Sequence, residues 1–152
     1  MAEKYAELLA RQWDDIPEPQ ILPEGTWLLK GRNVAFFPAK EEDKSDRVAF
    51  FYEAKEPMDD VDAGELTKLG ENYDFANNDI VKQFFINREK DWASVRAFLA
   101  KHGIDSKGKT QAETFDAFKG TEVYAYLGTK SYTDSTGTAK VDNDPSNFTP
   151  VT

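Results

Sequence analysis

Alternation with period 2, or a dense run of strand formers, marks five segments of this 152-residue chain, and period 3.6 marks three others. From Thr26 to Phe37 (TWLLKGRNVAFF) the residues favour a strand, with Gly31 in its middle. A glycine there predicts a bulge that switches parity, so that Trp27 and Leu29 face inward before it and Val34 and Phe36 after it. RVAFFYEAK predicts a second strand, with Val48, Phe50 and Tyr52 on one side and Ala49 and Phe51 on the other. DIVKQFFIN predicts a third, opposing Ile80, Lys82, Phe84 and Ile86 to Val81, Gln83 and Phe85. GTEVYAYLGTKSY predicts a fourth: Val123, Ala125 and Leu127 share one face, and Glu122, Tyr124, Tyr126, Lys130 and Tyr132 the other. After the turn TDSTGT, a fifth extended segment runs from about Ala139 to Val151, edge-like because of its prolines.

The helical period appears first in AEKYAELLARQW, where Tyr5, Leu8, Leu9 and Trp13 form a stripe ended by a segment with three prolines. It returns in REKDWASVRAFLAKHG, with Trp92, Val95 and Leu99 on one face, Phe98 alongside and Gly103 as a C-terminal stop. Thr110 and Glu113 form a capping box before a short helix carrying Phe115 and Phe118. The sequence divides into an N-terminal helix and Pro-rich linker (1–24) and one domain (25–152). Three strands, a helical insertion and a hairpin predict a mainly β, α+β fold: a five-stranded OB-like antiparallel barrel with its helices between strands 3 and 4. An antiparallel sheet with helices on one side is the alternative.

Charge sharpens the picture. The net charge is −9, with residues 1–24 at −4 and residues 53–74 at −6, while residues 75–152 are balanced. The acid excess argues against a generally basic nucleic-acid binder but leaves room for a local basic surface. There is no cysteine, which excludes thiol chemistry and disulfides and fits a reducing cytoplasm. The start lacks the pattern of a signal peptide, and no apolar run reaches bilayer-spanning length, so a cytoplasmic protein without a membrane partner is expected.

Candidate chemistry is sparse. Asp60 and Asp62 have the spacing of two calcium ligands, yet Gly64 and Glu65 occupy positions that such a loop assigns otherwise, so a solvated acidic loop is expected instead. His102, the lone histidine, is expected to complement a helix C-terminus by its charge. No catalytic residues, metal site or cofactor are expected, and Asp59, Asp60 and Asp62 are too poorly specified for a magnesium site. The tyrosine face is the better candidate. OB barrels stack bases on outward aromatics while cations follow the phosphates. Tyr124, Tyr126, Tyr132 and Lys130 fit that role, with Lys30, Arg32, Arg47 and Lys82 supplying charge from neighbouring strands. Packing of the tyrosines under the helices is the competing reading.

The stretches LPEGTWLLKGRNVAFF, DWASVRAFLAKHGID and FKGTEVYAYLGTKSYTDSTGTAKVDNDPSNFTPV resemble small bacteriophage proteins of replication and recombination modules. That resemblance implies an OB-like protein that binds single-stranded DNA in the host cytoplasm. The acidic segments are then expected to recruit replication or recombination proteins and to lie away from Tyr124 and Tyr126, because carboxylates within a Debye length of about 8 Å repel phosphates. The alternative is an acidic protein that engages a host or phage protein as a DNA mimic.

Overall fold

The computed structural model describes residues 21–39 and 46–151. The expected N-terminal helix lies outside them. The strands are β1 (Gly25–Phe37), β2 (Arg47–Pro57), β3 (Ile80–Phe85), β4 (Glu122–Thr133) and β5 (Ala139–Pro150). The helices are α1 (Ala63–Leu69), α2 (Glu89–Ala100) and α3 (Gln111–Phe118), with a 3-10 turn at Phe75–Asn77. All neighbours pair antiparallel in one sheet of order β3-β2-β1-β4-β5. Four antiparallel steps leave the edge strands β3 and β5 running in the same direction. Their Cα atoms approach within 8 Å, but no ladder joins them, so the sheet is not closed.

The alternating residues of the strands build the core. Trp27, Leu29, Val48, Phe50, Tyr52, Ile80, Val123, Ala125 and Leu127 are all fully buried. The helices between β3 and β4 cover them with Val95, Phe98, Leu99 and Phe118. Phe50 meets Phe98 and Phe118 with ring centroids 4.9 and 5.1 Å apart. Tilted and edge-on contacts of this kind add to simple burial.

Gly31 sits at a register shift between Gly31 and Asn33, and a second shift falls between Leu28 and Leu29. The glycine is required by close approach. Its N–H donates to Thr121 O, its carbonyl accepts from Gly120 N, and a Cβ there would lie 2.2 Å from Phe118 O. After the bulge Val34 packs on the core, whereas Phe36, paired with Val48, projects past it to reach Phe115.

Two boundaries differ from expectation. Residues 21–24 belong to the body rather than to a linker: Leu22 is fully buried, and its backbone N–H and C=O both bond the Asn143 amide at 2.9 Å. The acidic stretch is not a plain loop either. Asp62 caps α1 through Gly64 N at 2.7 Å, and Phe75 packs edge-on against Trp27. Local capping and one long-range aromatic contact order a segment whose composition reads as solvated. Among the described residues, no helix is long and apolar enough to cross a membrane.

Candidate nucleic-acid interface

Cross-strand partners share a sheet face, so the register fixes what surrounds each candidate. Val123, Ala125 and Leu127 point into the core, which turns Tyr124, Tyr126, Lys130 and Tyr132 outward as the alternation requires. Tyr124 stands between Leu28 and Thr149, and Tyr126 between Thr26 and Ser146. Lys30 lies across from Glu122 on one side and Glu53 on the other. Lys130 faces Asp142, and Tyr132 faces Lys140 on the part of the β4–β5 hairpin that runs beyond β1.

The expected separation of acids from the tyrosines fails at Asp60. Its carboxylate accepts from Thr26 N and Thr26 Oγ1, both at 2.8 Å. Those bonds, the backbone one first, hold the Asp60 carboxyl below its usual pKa and keep it charged. Thr26 is the cross-strand neighbour of Tyr126. A fixed negative charge therefore sits one residue from the tyrosine row, inside a Debye length. With Glu53, Glu56, Glu122, Asp142 and Asp144 also on this half of the outward surface, the tyrosine end is acidic.

The other end of β1 is different. Phe37, Arg47 and Phe85 form one cross-strand row over three strands. Phe85 is 63% exposed and Phe37 40%, against 38% for Tyr126. The Arg47 guanidinium carbon lies 5.7 Å from the Phe37 ring centroid, and Nη1 donates to Gln83 Oε1 at 2.9 Å. The adjoining outward positions are Asn33, Ala35, Ala49, Phe51, Val81 and Gln83, none of them acidic. Asp46, next in sequence, turns its carboxylate to Ala39 N at 2.7 Å.

The eight candidate residues are thus not one cluster. Thr26 and Phe37 are separated by about 35 Å of strand at ~3.3 Å per residue. Of the cations, Arg47 alone joins the aromatic row. Arg32, at the bulge, pairs with Asp79 at 3.6 Å and bonds Ala76 O. Lys82 pairs with Phe50, so it lies on the core side, with Nζ 5.8 Å from the Phe84 ring centroid. Phe37, Phe51 and Phe85 were missed in the sequence because both faces of β2 and β3 carry aromatics there. Only the register tells Phe84, against Phe50 and Phe98, from Phe85.

His102 corrects another expectation. It is buried, not a charged helix cap; desolvation pushes its pKa down to about 4, so it is neutral. Asp60 and Asp62 hold Thr26 and cap α1, and no cluster of three or more metal-ligating side chains occurs among the described residues. No protein-family model and no curated protein matches this chain.

Proposed function

We propose that this chain is a non-catalytic, OB-like protein that binds single-stranded DNA, as a phage replication or recombination module would require. The Phe37–Arg47–Phe85 row carries the reading. It offers two exposed rings for bases and a guanidinium for a phosphate, and among the described residues its cross-strand neighbours carry no carboxylate. The order β3-β2-β1-β4-β5, with edge strands running in the same direction and two helices between β3 and β4, supports the OB-like reading. Bases stack without sequence preference because every base has a π face.

Fluorescence anisotropy with a labelled oligothymidylate at several salt concentrations tests this. Affinity should fall as salt rises, with a slope of about 0.7 per phosphate contacted. Phe85→Ala should cost roughly 1–3 kcal/mol of binding if it stacks one base. Absence of binding at low salt would overturn the proposal.

A second reading rests on the acidic tyrosine end. Tyr124 and Tyr126 among fixed carboxylates suit a protein partner that brings cations, whether a replication protein recruited by a DNA-bound chain or the target of a DNA mimic. The mimic reading requires a captured protein together with no affinity for oligonucleotides.

A further inference from the structure

A cleft between α2 and α3 lies apart from the outward sheet surface and encloses about 540 Å³, within the range of small-molecule sites. Its wall is aromatic: Trp92 on α2 and Phe115 on α3 have ring centroids 6.5 Å apart. Its rim is cationic. Arg96 comes from α2, and Lys107 and Lys109 from the loop joining the helices. Arg96 Nε donates to Ser106 Oγ at 2.9 Å, which ties α2 to that loop. Neither terminal nitrogen of Arg96 has a hydrogen-bond partner among the described residues, and neither lysine has an ion-pair partner there. The lining holds one carboxylate, Glu89.

In a chain of net charge −9, three cations without an ion-pair partner among the described residues, set around an aromatic wall, mark a local reversal of sign. The structure assigns this cleft, we infer, to a nucleoside phosphate: the ring stacks on Trp92 and the phosphate meets Arg96, Lys107 and Lys109. The combination of flat aromatic wall and cationic rim selects that class. A free phosphate leaves the rings unused, and an uncharged nucleoside leaves the cations unused. A volume of about 540 Å³ suits one nucleotide rather than an extended chain. This assignment does not depend on single-strand binding at the sheet.

Trp27 supplies an internal reference, because its indole N–H is engaged by Pro23 O at 3.0 Å and its ring is fully buried. The full chain is titrated with adenosine monophosphate, adenosine and inorganic phosphate, and the indole N–H resonances are followed by NMR. The monophosphate should shift Trp92 in a saturable way and leave Trp27 in place; adenosine and phosphate should each bind more weakly. Lys107→Ala with Lys109→Ala should weaken the monophosphate by about five- to tenfold, while Phe85→Ala leaves this shift unchanged. An unmoved Trp92 at millimolar monophosphate overturns the assignment. So does equal binding of adenosine and its monophosphate, or a response to an oligoglutamate peptide alone, which would give the cleft to an acidic protein segment.

Discussion

Tyr52 Oη lies 2.6 Å from His102 Nε2 in the core, between the main sheet and α2. His102 Nδ1 is 2.8 Å from Phe98 O, an acceptor only, so Nδ1 carries the proton and Nε2 accepts from the tyrosine hydroxyl. Both rings are enclosed by Phe118 and Phe148. Burial pushes the Tyr52 phenol up and His102 down, so each is held in its neutral form.

This pair makes stability depend on pH. With a folded pKa of about 4 against 6.5 for the free group, the unfolded chain binds a proton more readily. Stability from this site is therefore full above pH 6.5 and declines as pH falls to about 4, by roughly 3 kcal/mol in all. Urea titrations across that window should show the slope in wild type and lose it in His102→Gln. An unchanged slope in the variant would assign the acid sensitivity to carboxylates. At neutral pH, Tyr52→Phe should cost about 1–3 kcal/mol by leaving Nε2 buried without a donor.

Gly31 and Gly128 predict opposite responses to the same substitution. Gly31→Ala drives a methyl into Phe118 O at the end of α3, beside the two backbone bonds that fasten Gly120 and Thr121 to β1. It should cost at least about 2 kcal/mol, at the upper end of overpacking effects. Gly128 has only ordinary contacts at 3.7 Å or beyond. Gly128→Ala should be neutral or stabilise by about 0.4–1 kcal/mol through the unfolded chain. Denaturant midpoints measured side by side decide this, and similar losses at both positions would contradict the close approach at Gly31.

Asn143 works as a surrogate backbone. Its Oδ1 accepts from Leu22 N and its Nδ2 donates to Leu22 O, across 121 residues. Asn143→Ala leaves a buried N–H and C=O without these bonds and should cost about 2–4 kcal/mol. Hydrogen exchange should localise the loss to the Leu22 amide. Retained protection at that amide would mean that the contact is dispensable.

What the sequence made legible was local. The alternation of Val48, Phe50 and Tyr52, the Gly31 bulge and the Thr110–Glu113 capping box each depend on a few consecutive residues, and each appears where its pattern lies. The outward orientation of Tyr124 and Tyr126 was legible for the same reason. Their surroundings were not. Asp60 reaches Thr26 across 34 residues, and no period or spacing encodes that contact. Helix α1 spans seven residues and fully buries none of them; its apolar contact with the core is the pair Leu66 and Leu69, too short a stripe for the helical period to register. At Phe84–Phe85 two adjacent rings of equal hydrophobicity take opposite faces, and the pairing with β2 alone decides which is solvated.

The final prediction separates the two ends of the outward surface. Asp60→Asn removes a negative charge beside Tyr126, while an amide oxygen can still accept from Thr26. If DNA passes over the tyrosine end, losing that repulsion should tighten oligonucleotide binding several-fold at low salt, with the gain fading as salt screens the charge. If DNA lies on the Phe37–Arg47–Phe85 row, the site is about 35 Å of strand away by the ~3.3 Å rise per residue. At that range screening removes the interaction at physiological salt, and affinity should not change. Arg47→Ala should instead weaken binding and lower the salt slope by the share of one phosphate, about 0.7. Anisotropy on the two variants at two salt concentrations gives the answer. We expect Arg47 to matter and Asp60 not to; the reverse pattern would return the binding surface to Tyr124 and Tyr126.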